Sequence, residues 1–151
     1  MKKQRLVIKT NQQGINLTKI NFSGFDLSNI DFSRAKLDGV DMRNCNLSGC
    51  NFSGASMRGA ILDGSSLVGA KLARADLSNA SLVDVSLERA NLSRSLCINT
   101  DFTNANMTDV CVSYACLNQA TLSNEHSLDR ARGANTADLS HINYSQKTRV
   151  V

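Results

Sequence analysis

The side chains of this chain able to do chemistry are five cysteines, two histidines and a large population of serines, aspartates and arginines. A zinc site wants four Cys or His ligands in close clusters. Cys45, Cys50, Cys97, Cys111 and Cys116 are scattered, and the only histidines are His126 and His141. No metal ligand set and no cofactor is therefore expected. An odd number of unclustered cysteines suits a reducing compartment, so the expected location is the cytoplasm. Catalysis would need a concave pocket with converging polar groups. No Ser-His-Asp spacing, glycine-rich phosphate loop or carboxylate pair separates itself from the background. No enzyme, and no catalytic residue, is expected.

The background itself is a repeat, and the repeat decides what any side chain can reach. From Leu17 to Leu122 every fifth residue is apolar: of twenty-two such centres thirteen are Leu, four are Phe and three are Met, with Cys97 and Val112 completing the series. With 42% of the chain hydrophobic, an unbroken run of that length arises by chance on the order of once in 10^8. Two residues before each centre stands a second series of small or apolar residues, ten of them Ala. The residue between the two is usually polar, which is strand alternation. A helix of 3.6 residues per turn would spread a period of five over all its faces, and no heptad is present. Each strand-like piece is about three residues long before it must turn. Seven of the nine Gly occupy one slot, two residues after the centre, from Gly24 to Gly69. That slot suits a turn residue with positive φ. Beyond residue 69 it holds Arg, Asn, Asp, Tyr or Gln, so a change of turn type along the chain is expected.

A short strand and a corner, repeated without linkers, close into a coil, and stacked coils bury the two apolar series. Pentapeptides such as Ala75-Asp76-Leu77-Ser78-Asn79 and Ala90-Asn91-Leu92-Ser93-Arg94 resemble those of the pentapeptide-repeat family, whose signature is Ala-(Asp/Asn)-Leu-x-x. The match runs unbroken over residues 15–124 and reappears, shifted by two, at Ala137-Asp138-Leu139-Ser140-His141 and Ile142-Asn143-Tyr144-Ser145-Gln146. The resemblance implies an all-β fold, a right-handed quadrilateral parallel β-helix of roughly six coils and about 27 Å in length at strand spacing, with four pentapeptides per coil. Residues n and n+20 then stack. One inner column becomes Phe32, Phe52, Leu72, Leu92 and Val112; Phe22, Leu77 and Phe102 belong to the same core. Cys45, Cys50 and Cys97 point inward as free thiols, whereas Cys111 and Cys116 face outward and are the two that could react.

The expected organisation is an N-terminal cap or first strand over residues 1–14, the repeat domain over 15–124, an irregular short helix or loop over 125–136, and last repeats with a tail over 137–151. Ser123 or Asn124 would cap that short helix. Leu6-Val7-Ile8 is too short an apolar run for a signal peptide, and no run approaches the roughly 20 residues of a membrane helix. The net charge is +4, but residues 15–124 carry nine basic and ten acidic residues. The excess lies at the ends, in Lys2, Lys3, Arg5 and Lys9 and in the segment after residue 124.

Two outward features interrupt the Ser/Asn/Asp surface. With four units per coil, Arg34, Gly54, Arg74, Arg94 and Tyr114 fall in file on one corner, suited to an acidic partner or simply to keeping the rod soluble. Apolar residues replace polar ones at Ile61, Val68, Val83, Leu96 and Ile98. Ile61 and Val83 share a face in adjoining coils, and Leu96 and Ile98 flank Cys97 on the next face. A contiguous apolar patch would mark a contact site; the bland alternative is that β-branched residues simply favour strand. The irregular segment 125–136 is a third candidate surface.

These residues point to a non-catalytic scaffold that binds another protein on a flat face, in a bacterial or cyanobacterial cytoplasm. Homodimers by end-to-end or face contact are a further expectation. The alternative implied by the family is a DNA mimic that protects gyrase or topoisomerase and confers quinolone or toxin resistance. A rod of net −1 is a poor duplex mimic. A third reading is an effector delivered into host cells. Direct nucleic-acid binding is not expected, because no basic stripe with interleaved aromatics is present.

Overall fold

The structure, a computed structural model, describes residues 13–145. It is a right-handed quadrilateral β-helix. Asn16 pairs in parallel with Lys36, Lys36 with Ser56, and so on through Asp76 and Leu96 to Cys116. Each step is twenty residues, hence four pentapeptides per coil. Face 1 carries the centres Leu17 to Leu117, face 2 Phe22 to Leu122, face 3 Leu27 to Met107 and face 4 Phe32 to Val112. Faces 2 and 4 lie on opposite sides of the rod. The expected N-terminal cap lies outside the described residues apart from Gln13 and Gly14, as does the tail after residue 145.

One pentapeptide shows why the signature folds this way. The Asp76 N–H donates back to the Ala55 carbonyl at 2.9 Å, and the Leu77 N–H donates forward to the Leu96 carbonyl at 2.7 Å. The Ala80 N–H closes the corner on the Leu77 carbonyl at 2.9 Å. The Asp76 Oδ1 accepts the Ser78 N–H at 3.0 Å. The Asp/Asn slot therefore satisfies a turn donor that would otherwise need water. Where Ser56 and Ser81 replace it, Asp38 and Asp63 of the preceding coil accept the equivalent N–H of Arg58 and Val83, both at 3.0 Å. The strands are shorter than the sequence predicts. Most pairings are single bridges, and only β1 (Asp101–Phe102), β2 (Thr121–Leu122) and β3 (Asn143–Tyr144) extend to two residues. The corners claim the rest of each pentapeptide.

Phe22, Phe32, Phe52, Leu72, Leu77, Leu92 and Phe102 are all buried. Phe32 stacks on Phe52 with ring centroids 5.3 Å apart and planes 5° from parallel. Polar residues in the inner series donate to main chain: Ser65 Oγ to the Met42 carbonyl at 2.6 Å, and Thr100 Oγ1 to the Leu77 carbonyl at 2.8 Å. Among the described residues no buried side-chain nitrogen or oxygen lacks a partner.

The expected change of turn type does not occur. Gly54 has φ +67°, and Arg74, Arg94 and Tyr114 in the same slot have φ +59°, +58° and +56°. Stacking on the coils above and below holds these side chains in the left-handed region despite its cost.

Residues 125–136 form two sides of the last coil. Cys111 pairs with Arg132, Cys116 with Asp138 and Thr121 with Asn143. The step lengthens from twenty to twenty-one and then twenty-two residues, which accounts for the two-residue shift of the final repeats. No α-helix forms here. Asn124 Oδ1 accepts the His126 N–H at 3.0 Å and starts a run of turns. A 3-10 helix follows at Ala134–Thr136.

Candidate functional site

The corner between faces 4 and 1 gathers Arg34, Gly54, Arg74, Arg94 and Tyr114 at successive coils, about 4.8 Å apart along the axis. Three arginines elsewhere are paired, Arg43 with Asp41 at 2.6 Å, Arg58 with Asp76 at 3.9 Å and Arg130 with Asp109 at 3.1 Å, whereas, among the described residues, Arg89 and Arg132 are not. Arg34, Arg74 and Arg94 have no carboxylate within 4.0 Å among the described residues. Arg94 lies over the Tyr114 ring, 5.7 Å from its centroid, a cation–π contact at an exposed site. Beside the file, face 4 presents a line of small side chains, Ser33, Ser53, Ala73, Ser93 and Ser113, and next to it a line of Asp31, Asn51, Lys71, Asn91 and Cys111. Gly54 leaves a notch of about 230 Å³ lined by Arg34, Ser53, Gly54, Ala73 and Arg74.

The fold also sorts charge in a way the net charge conceals. Over residues 15–124, face 4 with its following corner carries Arg34, Lys71, Arg74 and Arg94 against Asp31. The opposite face 2 carries Asp41, Asp63, Asp84 and Asp101 against Arg43. A chain segment of net −1 is thus a rod with one cationic and one anionic flank. Sequence reasoning missed this, although a count of charges at a period of twenty would have found it.

The apolar set is divided among faces, with Ile61 and Val83 on face 2, Leu96 and Ile98 on face 1 and Val68 on face 3. Ile61, Leu96 and Ile98 are exposed, and Val68 and Val83 are half-buried. Ile61 sits between Asp41 and Ser81, and Leu96 between Asp76 and Cys116.

A concavity of about 540 Å³ lies where residues 123–130 fold over Asn104, Asn106 and Thr108. His126 stands in it, but its Nδ1 meets Asp129 at 3.1 Å and its Nε2 meets Glu125 at 3.7 Å. Both ring nitrogens face carboxylates. Among the described residues no three His, Cys, Asp or Glu side chains are grouped to hold a metal ion, and no helix is long and apolar enough to cross a membrane.

The thiols divide by environment. Burial pushes Cys50 and Cys97 up to about 12. Cys111 is only half-buried. Burial alone would raise it, but hydrogen bonds from Ser113 and the nearby Arg132 outweigh burial and hold it below the usual thiol range. Cys116 is also half-buried, with its Sγ 3.6 Å from Asp138. Cys111 is therefore expected to be the first residue alkylated by iodoacetamide at neutral pH, with Cys45, Cys50 and Cys97 protected until unfolding. Peptide mass mapping over a labelling time course checks this, and early labelling of Cys50 or Cys97 would contradict the buried placement.

Comparison with known proteins agrees with the coil. The family model for pentapeptide repeats matches residues 13–49, 50–89 and 86–124, with eight copies. Among solved structures the chain is similar to a pentapeptide-repeat protein of the Arabidopsis thaliana thylakoid lumen: 28% identity over 69% of each chain, TM-score 0.54. HetL of Nostoc sp. strain PCC 7120, involved in heterocyst differentiation regulation, is 26% identical over 89% of this chain and 72% of its own, with TM-score 0.44. QnrB1, a plasmid-mediated fluoroquinolone resistance protein, is 19% identical over 92% of this chain and 88% of its own, with TM-score 0.46. No curated protein sequence matches the chain. Twenty-residue coils with inward Leu and Phe, Asp or Asn at the turn donor, and a family match over most of the length agree: the chain belongs to the pentapeptide-repeat family.

Proposed function

We propose that this rod is a non-catalytic scaffold that docks a partner protein along face 4 and the corner carrying Arg34, Arg74, Arg94 and Tyr114. The observation that supports this reading is the file of arginines without carboxylate partners among the described residues, set beside a line of small side chains on face 4. A flat face admits close approach of another surface, and the guanidinium groups supply directed donors for its carboxylates. Members of this family generally act as structural or interaction proteins, which fits a rod whose interior is filled.

A second reading has an observation of its own. The four aspartates of face 2 against one arginine offer an anionic flank for a gyrase-directed DNA mimic. The cationic flank on the opposite side opposes it, because a duplex is anionic all round.

The test is capture of partners from a lysate of the source organism with four baits. These are the native protein, Arg34→Asn/Arg74→Asn/Arg94→Asn, Asp84→Asn/Asp101→Asn, and Leu96→Asp/Ile98→Asp. Asn already occupies the corner slot with positive φ at Asn29 and Asn79, so the arginine variant keeps the backbone. One partner protein lost only with the arginine variant is the expected result. Gyrase subunits lost with the aspartate variant would replace the proposal with the mimic. Loss confined to Leu96→Asp/Ile98→Asp would move the docking face to face 1, and equal capture by all four baits would refute the corner.

A further inference from the structure

We infer that the notch over Gly54 is a carboxylate-binding site, and that the corner takes an acidic polypeptide segment laid along the rod axis. This deepens the scaffold reading and rests on it for biological meaning, but the site is defined by geometry alone.

Gly54 is the one member of the Arg34–Tyr114 file without a side chain. Its absent Cβ would lie 3.7 Å from Arg34 Cγ, so the Arg34 stem passes directly beside the gap. Arg74 borders the other side, one coil beyond Gly54. Two arginines whose backbones are about 10 Å apart, on stems of several ångströms, can bring both guanidinium groups onto one group seated between them. The backbone donors at the notch are already used. The Gly54 N–H donates to the Ala73 carbonyl at 2.9 Å, and the Ser53 N–H to Asn51 Oδ1 at 3.1 Å. Recognition therefore falls to Arg34, Arg74 and the Ser53 hydroxyl, all hydrogen-bond donors suited to an oxyanion. A notch of about 230 Å³ admits the end of a Glu or Asp side chain.

Beyond the notch the file continues with Arg94 stacked on Tyr114, a third cation one coil further on. Three cations in line match a chain bearing several carboxylates better than a lone small anion. A continuous phosphate backbone fits less well. Asp31 on face 4 and Asp76 on face 1 flank the file and would repel it, whereas discrete carboxylates can pass between them. A single aromatic residue also provides no stacking platform for successive bases.

The probe is fluorescein-labelled hexaglutamate, read by fluorescence anisotropy at low ionic strength, with hexalysine and a single-stranded oligothymidine as comparisons. The expected result is saturable hexaglutamate binding that weakens with salt. Gly54→Asn fills the notch with a side chain that this slot already accepts elsewhere, and is expected to weaken binding about tenfold. Arg34→Asn/Arg74→Asn is expected to abolish binding, while Arg43→Asn on face 2 leaves it unchanged. Circular dichroism melting confirms that each variant is folded. Binding by Gly54→Asn equal to the native protein overturns the notch. Tighter binding of the oligothymidine than of hexaglutamate overturns the choice of ligand. Competition by inorganic phosphate at concentrations where acetate has no effect overturns the carboxylate assignment. Hexaglutamate needs no cellular partner, so failure to capture a partner from lysate and failure of this site are separate outcomes.

Discussion

Phe52→Ala is expected to lower the free energy of unfolding by about 3–5 kcal/mol, which is a large part of the stability of most domains. Phe52 has no exposed surface, and one face of its ring lies against Phe32 with centroids 5.3 Å apart. Leu72 follows in the same column. Elsewhere a cavity can shrink as helices or loops shift inward. Here the four walls are fixed by main-chain bonds to the coils on both sides: Phe52 N–H to the Lys71 carbonyl at 2.7 Å, and Phe32 N–H to the Asn51 carbonyl at 2.8 Å. The wall cannot collapse without breaking that ladder, so the cavity should persist near its full size. Phe52→Leu should cost less than about 1.5 kcal/mol, since Leu already serves at the same level one coil on. Urea unfolding followed by circular dichroism measures both. A loss of under 1 kcal/mol for the alanine variant would show that the column is not packed as described.

Gly133→Ala is expected to cost about 2–4 kcal/mol and to release the last coil. Gly133 has φ +77°, and an added Cβ would overlap the Ser113 hydroxyl and come within 2.8 Å of both Ser113 Cα and Cβ. Main chain on both sides makes the clash hard to relieve. The bonds most exposed to it are Val112 N–H to the Arg132 carbonyl at 2.9 Å and Arg132 N–H to the Val110 carbonyl at 2.7 Å. Gly54→Ala is the control. Its Cβ would sit at an ordinary 3.7 Å from its neighbour, leaving only the strain of positive φ, about 1 kcal/mol. Hydrogen exchange at Val112 and Leu117 should accelerate in Gly133→Ala while Phe52 stays protected, because a solenoid coil contacts only its neighbours. Ser113→Gly in the same chain should restore part of the loss by removing Oγ and Cβ. A fully protected last coil in Gly133→Ala would mean that the turn at 131–134 has a different path.

How much of this was legible in the sequence depends on the range of each interaction. The inward placement of Cys45, Cys50 and Cys97 and the outward placement of Cys111 and Cys116 follow from the period of five alone. Each pentapeptide is a local unit, with its own inner pair of residues and its own turn. The corner file could be read only once four units per coil were taken over from the family resemblance. The charge segregation of faces 2 and 4 was in principle readable by the same rule, but a summed charge averages it away. The turn slot misled in the other direction. Gly giving way to Arg and Asn after residue 69 suggests a different turn, yet φ stays positive at Arg74 and Asn79, because the stacked coils override the local preference.

What the sequence by itself determined is the period, the inner surface and the family. An apolar residue every fifth position with small residues two before it has no other way to hide both series from water. What only the tertiary structure decided is which outward side chains are neighbours. Those contacts join residues twenty positions apart, and they depend on where the coil closes rather than on any local pattern. Closure put Leu96 on face 1 and Ile61 on face 2, and it left Arg34 and Arg74 facing each other across Gly54. It also absorbed the two extra residues of segment 125–136 into a wider last coil, since main-chain hydrogen bonds to Val110, Val112, Ala115, Leu117, Ala120 and Leu122 reward a continued ladder over an excluded loop.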